Sequence, residues 1–281
     1  QSGAQLQAIS PEEATRTAQA VCHHLMVNPE HPDALKGAPT SRLVDAIKAA
    51  WDAGGRFGPV VDGRNLTRDP FSPDAPALSA DVPILVGYTA TETTIGAEPA
   101  LFGLDWSGLK ARLGPVLGGG DPDKVIADFR RLRPQASPSD LYFHITTLRG
   151  QGARALALAE RKAAQHAAGA YVYRLEFETP VDHLKSPQAL DLPLVFDNVG
   201  KSASLLGPVA ADAQKLADQM SEAWIAFART GSPNASGLSS WPRYDERSRS
   251  TMLFNVVSRA VNDPYPEERQ ILAALPPATS A

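Results

Sequence analysis

Glu92 is the residue whose type and position most clearly suggest chemistry. It lies just beyond the apolar run 82–87 (VPILVG), which turn residues bound, as expected for a strand buried on both faces of a parallel sheet. Polar residues fill the segment 89–94 that follows. Because ligands and catalytic groups gather at the carboxyl ends of strands in open α/β sheets, Glu92 is a candidate catalytic acid. A plain surface acid is the alternative that the same pattern allows.

Motifs do not reveal a nucleophile that could work with this glutamate. The chain contains no Gly-x-Ser-x-Gly sequence. The segment 107–110 (SGLK) fits a Ser-x-x-Lys pattern, but this pattern is short and its companion motifs are missing. Neither Gly-x-Gly-x-x-Gly nor a P-loop occurs, so nucleotide binding is not supported. The residues alone therefore indicate a globular α/β domain with one notable glutamate.

Composition excludes several other classes of protein. The 281 residues include 27 Lys and Arg against 31 Asp and Glu. The net charge is therefore near neutral and the basic residues are scattered, so the sequence shows no basic patch that would bind nucleic acid. The single cysteine, Cys22, excludes an internal disulfide framework and a thiolate metal cage. The six histidines show no metal-ligand spacing, and adjacent His23 and His24 are interpreted as surface residues. No run approaches the ~20 apolar residues of a membrane span.

Periodicity and turn residues predict the elements that must position Glu92. A capping box at Ser10, with Pro11 at the first helical position and Glu13 three residues beyond Ser10, predicts the first helix. The predicted helices cover 11–24, 40–53, 106–113, 124–132, 141–168 with a break near Gly150 and Gly152, and 211–229. The predicted strands cover 82–87, 171–177 and 252–254. Helices that alternate with strands favour α/β layering.

Four longer segments carry a family resemblance. In chain order they are 57–63 (FGPVVDG), 83–92 (PILVGYTATE), 186–198 (SPQALDLPLVFDN), and 224–234 followed by WPRY at 241–244. Together they resemble the type-B carboxylesterases of bacteria, the cholinesterase and para-nitrobenzyl esterase-like branch of the α/β-hydrolases. The resemblance implies an α/β-hydrolase fold, with the C-terminal portion of a mostly parallel central sheet flanked by helices.

The same resemblance assigns a role to Glu92 and a position to the missing parts. In this family the triad acid is a glutamate at the place of Glu92, where it holds the histidine in the right tautomer and stabilises the imidazolium. Ser2-Gly3 resembles an element that follows the nucleophile helix, so Ser2 is not the nucleophile. The resemblance therefore implies that residues 1–281 are the C-terminal part of a single esterase domain. The nucleophile elbow and the oxyanion loop would then lie upstream of Gln1.

Gln188 stands where the resemblance places the catalytic histidine, directly before Ala189. A primary amide does not titrate near neutral pH, so it cannot take the serine proton or return it to the leaving alcohol. It can still donate a hydrogen bond to Glu92 and fill much of the space of an imidazole. Loss of the triad histidine lowers turnover about 10⁶-fold in a serine protease, so we expect almost no activity. His183, five residues upstream, is a candidate replacement base, although a surface histidine is the favoured interpretation.

The resemblance thus implies a serine carboxylesterase that cleaves small-molecule carboxylic esters through an acyl-enzyme, inactive as given. It implies no metal or organic cofactor, and its expected partners are the ester and the missing N-terminal segment, with no nucleic acid and no membrane span. A non-catalytic, esterase-like binding or adhesion protein is the alternative, because a missing base fits it equally. Cytoplasmic, periplasmic and secreted locations are all compatible with the sequence.

The resemblance also predicts how residues 1–281 behave alone. If part of the central sheet is missing, a strand edge and an apolar face become exposed, and we expect the isolated chain to aggregate. Size-exclusion chromatography and chemical unfolding test this expectation. A monodisperse monomer that unfolds cooperatively would contradict it.

Overall fold

The computed structural model describes residues 1–208 and 211–276, which form two compact units. The smaller unit contains residues 5–76. The larger unit contains residues 1–4 and the described residues from 77 onward.

The smaller unit is built on two packed helices. They are α1 (Pro11–Leu25) and α2 (Thr40–Asp52), with a 3₁₀ helix at Pro32–Gly37 between them. The predicted capping box starts α1: the Ser10 hydroxyl accepts a hydrogen bond from the Glu13 backbone N–H, and the Glu13 carboxylate accepts one from the Ser10 backbone N–H. The predicted positions of both helices are confirmed.

A four-stranded mixed sheet forms the centre of the larger unit. Its strands are β1 (Ile84–Thr89), β2 (Ala170–Leu175), β3 (Ser250–Phe254) and β4 (Arg259–Asn262), and they lie in that order. β1 with β2 and β2 with β3 pair in parallel, and β4 returns antiparallel to β3. The three predicted strands are confirmed within a few residues. β4 was not predicted, because its four residues show no apolar alternation and none is buried.

Helices and helical turns precede, connect and follow the strands of the larger unit. The helices are α3 (Trp106–Val116), α4 (Pro122–Leu132), α5 (Pro138–Thr147), α6 (Ala153–Ala163), α7 (Asp191–Val195), α8 (Ala203–Leu206), α9 (Ala211–Thr230) and α10 (Pro266–Ala273). Short 3₁₀ helices lie at Ala77–Ser79, Glu92–Thr94, Pro99–Gly103 and Val199–Lys201. The break predicted near Gly150 and Gly152 is a π-helical segment, Leu148–Gly152, which joins α5 to α6.

Two apolar clusters hold these elements together. One packs α9 against β2 and β3, and it includes the predicted stripe of Leu216, Met220, Trp224 and Phe227. The Trp224 ring contacts the buried Tyr173 ring edge-on, with 5.1 Å between centroids. The other cluster joins α3, α4 and α5. The stripe therefore belongs to the core, as predicted.

A buried polar network links α10 to the sheet and to α5. The Glu268 carboxylate accepts hydrogen bonds from Arg133 Nε at 2.7 Å and from His144 Nε2 at 2.7 Å. Arg174 on β2 donates to His144 Nδ1 at 3.5 Å. Burial lowers the pKa of His144 to about 4, and the charges of Arg174 and Arg133 add to this effect. His144 is therefore neutral at pH 7 and is enclosed by charged partners.

We predict that this histidine makes the fold sensitive to acid. The unfolded chain takes up a proton at a His pKa of about 6.5, whereas folded His144 does so only at about 4. Folded stability therefore falls as pH drops through this window, by about 3 kcal/mol at a conversion of ~1.4 kcal/mol per pKa unit. His144→Gln retains an N–H donor for Glu268 but cannot titrate, so it should lose this part of the pH dependence.

Urea unfolding of the complete gene product between pH 7 and pH 4.5 measures the effect. His183→Gln is the matched control, because His183 is exposed and lies outside the network. Equal pH dependence in His144→Gln and in the unmodified protein would contradict the prediction.

Candidate active site

Glu92 begins the 3₁₀ helix that follows β1, and its side chain is 2% exposed. One carboxylate oxygen, Oε1, accepts hydrogen bonds from the Ser2 hydroxyl and from the Thr89 backbone N–H, the latter at 2.6 Å. The other oxygen, Oε2, has no hydrogen-bond partner among the described residues. Burial raises the pKa of Glu92, although the bonds from Ser2 and Thr89 oppose this rise. The acid is thus fixed through one oxygen and unpartnered at the other.

Sequence analysis missed the contribution of Ser2. Its hydroxyl donates to Glu92, and its backbone N–H donates to the Gly87 carbonyl of β1 at 2.9 Å. Ser2 is therefore bound to the strand that precedes the acid and also orients the acid directly. The resemblance around Ser2-Gly3 is the available signal in the sequence, and it indicates only that Ser2 is not the nucleophile.

Backbone contacts bring Gln188 next to Glu92. The Gln188 N–H donates to the Glu92 carbonyl at 3.3 Å, and the Thr91 N–H donates to the Ser186 carbonyl at 3.0 Å. The Ser186 N–H in turn donates to the Thr91 hydroxyl at 2.9 Å. The Gln188 side chain is exposed and forms no hydrogen bond with Glu92, so the bond considered from sequence is not made.

His183, the candidate replacement base, lies apart from this pair. Its imidazole is 72% exposed, lies 3.4 Å from an Asp182 carboxylate oxygen and contacts the Phe102 ring. It does not line the cavity that Glu92 and Gln188 share. The arrangement agrees with the surface interpretation of this histidine.

Glu92 and Gln188 line a common cavity of about 330 Å³. Thr93 and Thr146 form part of its wall, and their hydroxyl oxygens are hydrogen-bonded at 2.9 Å. Arg154, at the start of α6, is the second ionisable residue of the lining, after Glu92. The cavity therefore combines one buried acid, one cation and several neutral hydrogen-bonding groups.

Asp191 and Tyr173 support the segment that carries Gln188. The Tyr173 hydroxyl donates to the buried Asp191 carboxylate at 2.6 Å. The charge of Asp191 contributes to the raised pKa of Glu92. Tyr173 is also the β2 partner of Gly87, where an added Cβ would overlap the tyrosine ring. Only glycine at position 87 leaves room for this ring.

Within residues 1–208 and 211–276, no group of three His, Cys, Asp or Glu side chains is placed to hold a metal ion. The same residues contain no helix with the length and apolar character needed to cross a membrane.

Gly87→Ala is predicted to destabilise the protein by about 1–3 kcal/mol, the usual cost of overpacking a core. The new methyl group would push the Tyr173 ring away from Asp191. Gly200→Ala is the matched control, because Gly200 is exposed, has no positive φ, and an added Cβ there would meet nothing within 4 Å. Urea unfolding measures both changes, and equal stabilities of the two variants would contradict the prediction.

Three comparisons with known proteins agree with one another. The carboxylesterase family pattern matches residues 140–271. Para-nitrobenzyl esterase of Bacillus subtilis (strain 168) is 28% identical over 277 residues, which cover 94% of this chain and 54% of that protein. The solved carboxylesterase EST55 of Geobacillus stearothermophilus has a TM-score of 0.70 at 30% identity, over 93% of this chain and 55% of the other. A solved PNB esterase has a TM-score of 0.68 at 27% identity, over 95% and 55%.

The similarity to these relatives concerns the fold and covers only part of their length. The solved neighbours are α/β-hydrolase carboxylesterases, so the expected α/β-hydrolase fold is confirmed. The chain spans about half the length of the relatives it matches. The matched family segment includes Gln188 and Asp191 and begins after Glu92.

Proposed function

This chain carries a carboxylesterase-family domain of the type-B class, and from that premise we propose that it is the C-terminal part of a serine carboxylesterase. In this proposal Glu92 is the triad acid and Gln188 occupies the position of the base. The nucleophilic serine and the oxyanion loop belong to sequence that precedes Gln1. The substrate is a small-molecule carboxylic ester.

The unpartnered oxygen of Glu92 is the observation that supports this assignment best. A buried carboxylate oxygen without a donor is costly, and most such atoms find a hydrogen-bond partner. Oε2 lacks one, and Glu92 lines the same cavity as Gln188. A histidine at position 188 would offer an imidazole N–H to this acceptor, which is how a triad acid orients its base.

The proposed chemistry follows from these roles. With histidine at position 188, the imidazole would take the serine proton as the hydroxyl attacks the ester carbonyl, and would return it to the leaving alcohol. Glu92 would stabilise the imidazolium that forms between these steps. Water would then release the acyl group by the same proton transfers in reverse. The Gln188 amide can perform none of these transfers, so we propose that the protein has almost no esterase activity.

A non-catalytic binding protein is the second candidate, and Gln188 itself favours it. An exposed amide that cannot titrate has no base function, and the rest of the fold does not require histidine there. The coding sequence upstream of Gln1 discriminates between the two candidates. A nucleophile elbow with a GESAGG-like sequence there would favour a former or modified esterase, and its absence would contradict the esterase proposal.

Gln188→His in the complete gene product tests the proposed roles. We expect hydrolysis of a nitrophenyl ester to rise by about 10³-fold or more, because the triad histidine contributes most of the turnover in serine hydrolases. Gln188→Asn is the matched control, since it retains an amide and should give no gain. Adding Glu92→Gln to Gln188→His should remove most of the gain, because the acid holds the base in its working tautomer. Equal activity of the His and Asn variants would refute the role of position 188.

A further inference from the structure

The cavity beside Glu92 contains a cation that the proposed mechanism does not use. We propose that Arg154 makes this cavity selective for esters that also carry a carboxylate, such as the monoesters of short dicarboxylic acids. This inference rests on the proposed function of the cavity and specifies its substrate class.

The Arg154 side chain lies against the cavity lining. Residue 154 is in the first turn of α6, directly after the π-helical segment. Side chains of a helix lean towards its N-terminus, and the guanidinium accordingly lies over Gly150. An added Cβ on Gly150 would be 4.0 Å from Arg154 Nη2. Gly150 and Gln151 line the same cavity, so the guanidinium lies at its wall.

The charge of Arg154 is available for a ligand. Several other arginines of the larger unit are paired with carboxylates, among them Arg133 with Glu268, Arg249 with Glu160, and Arg269 with Asp263. Arg154 is exposed and forms no ion pair or hydrogen bond within the described residues. Arg154 is also not among the groups that dominate the pKa of Glu92, which are burial, Ser2, Thr89 and Asp191.

The distribution of charge in the cavity fixes where an anion would bind. Glu92 repels a carboxylate, whereas Arg154 attracts one and can bind it through two parallel N–H donors. The rest of the lining is neutral and includes the hydrogen-bonded hydroxyls of Thr93 and Thr146. A ligand with an ester at one end and a carboxylate at the other therefore matches the cavity in a single orientation, with its ester near Glu92.

Cavity size and backbone shape agree with a small ligand of this kind. A volume of about 330 Å³ is at the lower end of the range for small-molecule sites, ~300–1,000 Å³. Short π segments within helices occur frequently at functional sites. Here such a segment separates α5 from α6, and residues of all three line the cavity.

Binding to the complete gene product with Gln188 in place tests the inference without turnover. The probes are monoethyl succinate and its neutral counterpart, diethyl succinate, measured by titration calorimetry at low salt. We expect the monoester to bind about tenfold more tightly, a preference that should weaken as salt screens the charge. Arg154→Gln should abolish the preference, and Arg154→Lys should retain part of it because lysine keeps the charge without the bidentate geometry.

Arg229→Gln is the matched control. Arg229 is an exposed arginine near the end of α9, outside this cavity and without an ion pair among the described residues. It should leave the preference for the monoester intact. A preference that survives Arg154→Gln, or that is lost equally in Arg229→Gln, would overturn the inference.

A second measurement separates this inference from the proposed function. In the Gln188→His background, the ratio of kcat/KM for the monoester to that for the diester should fall about tenfold on Arg154→Gln. Ester hydrolysis without any Arg154-dependent preference would overturn the inference and leave the proposed function standing. Arg154-dependent binding of the monoester without hydrolysis would support the anion site and count against the proposed catalytic roles.

Discussion

A carboxylate at 2% exposure needs donors to remain charged, and this requirement organises the region around Glu92. Its Oε1 accepts hydrogen bonds from Ser2, at the start of the chain, and from Thr89, at the end of β1. Backbone bonds then tie Gln188 to the Glu92 carbonyl and Thr91 to Ser186. These bonds hold the loop before α7 against the end of β1, so the acid and position 188 are neighbours because of the same local framework.

The chain contains a second buried glutamate, and the contrast between the two is informative. Glu268 bonds to the Arg133 cation and to His144, and these partners outweigh burial and lower its pKa. Glu92 receives only neutral donors, so burial prevails and its pKa is raised. The partners of Glu268 stabilise its negative charge within the packed core. The neutral donors around Glu92 stabilise its charge less, and a perturbed pKa of this kind is typical of groups that act in catalysis.

Local sequence patterns predicted what depends on local physics. The apolar run before Gly87 placed β1 and therefore Glu92, and the capping box at Ser10 placed the start of α1. The bond from Ser2 to Glu92 joins residues 90 positions apart, and the bond from His144 to Glu268 joins residues 124 apart. Sequence periodicity extends over only a few helical turns, so it cannot predict bonds between residues this far apart in the chain.

Other features escaped prediction for related reasons. The Arg154 side chain lies over a π segment whose glycines, on sequence alone, predict only a break in the helix. β4 was missed because its pairing with β3, rather than its own residues, makes it a strand. The role of position 188 came from family resemblance alone and remains a prediction. These features depend on contacts between parts of the chain that are distant in sequence, and local residue types do not encode such contacts.

The π-helical segment Leu148–Gly152 has a consequence for how this protein can change. A π turn holds one residue more than an α turn, so removing a single residue there would restore an unbroken α-helix. The residues C-terminal to the deletion would keep nearly the same face towards the sheet, because the extra residue is taken up within the π turn itself. A deletion would instead change the local backbone around Gly150, over which the Arg154 side chain lies. Single-residue deletions in this segment would therefore alter the wall of the cavity while leaving the packing of α6 on the sheet in place.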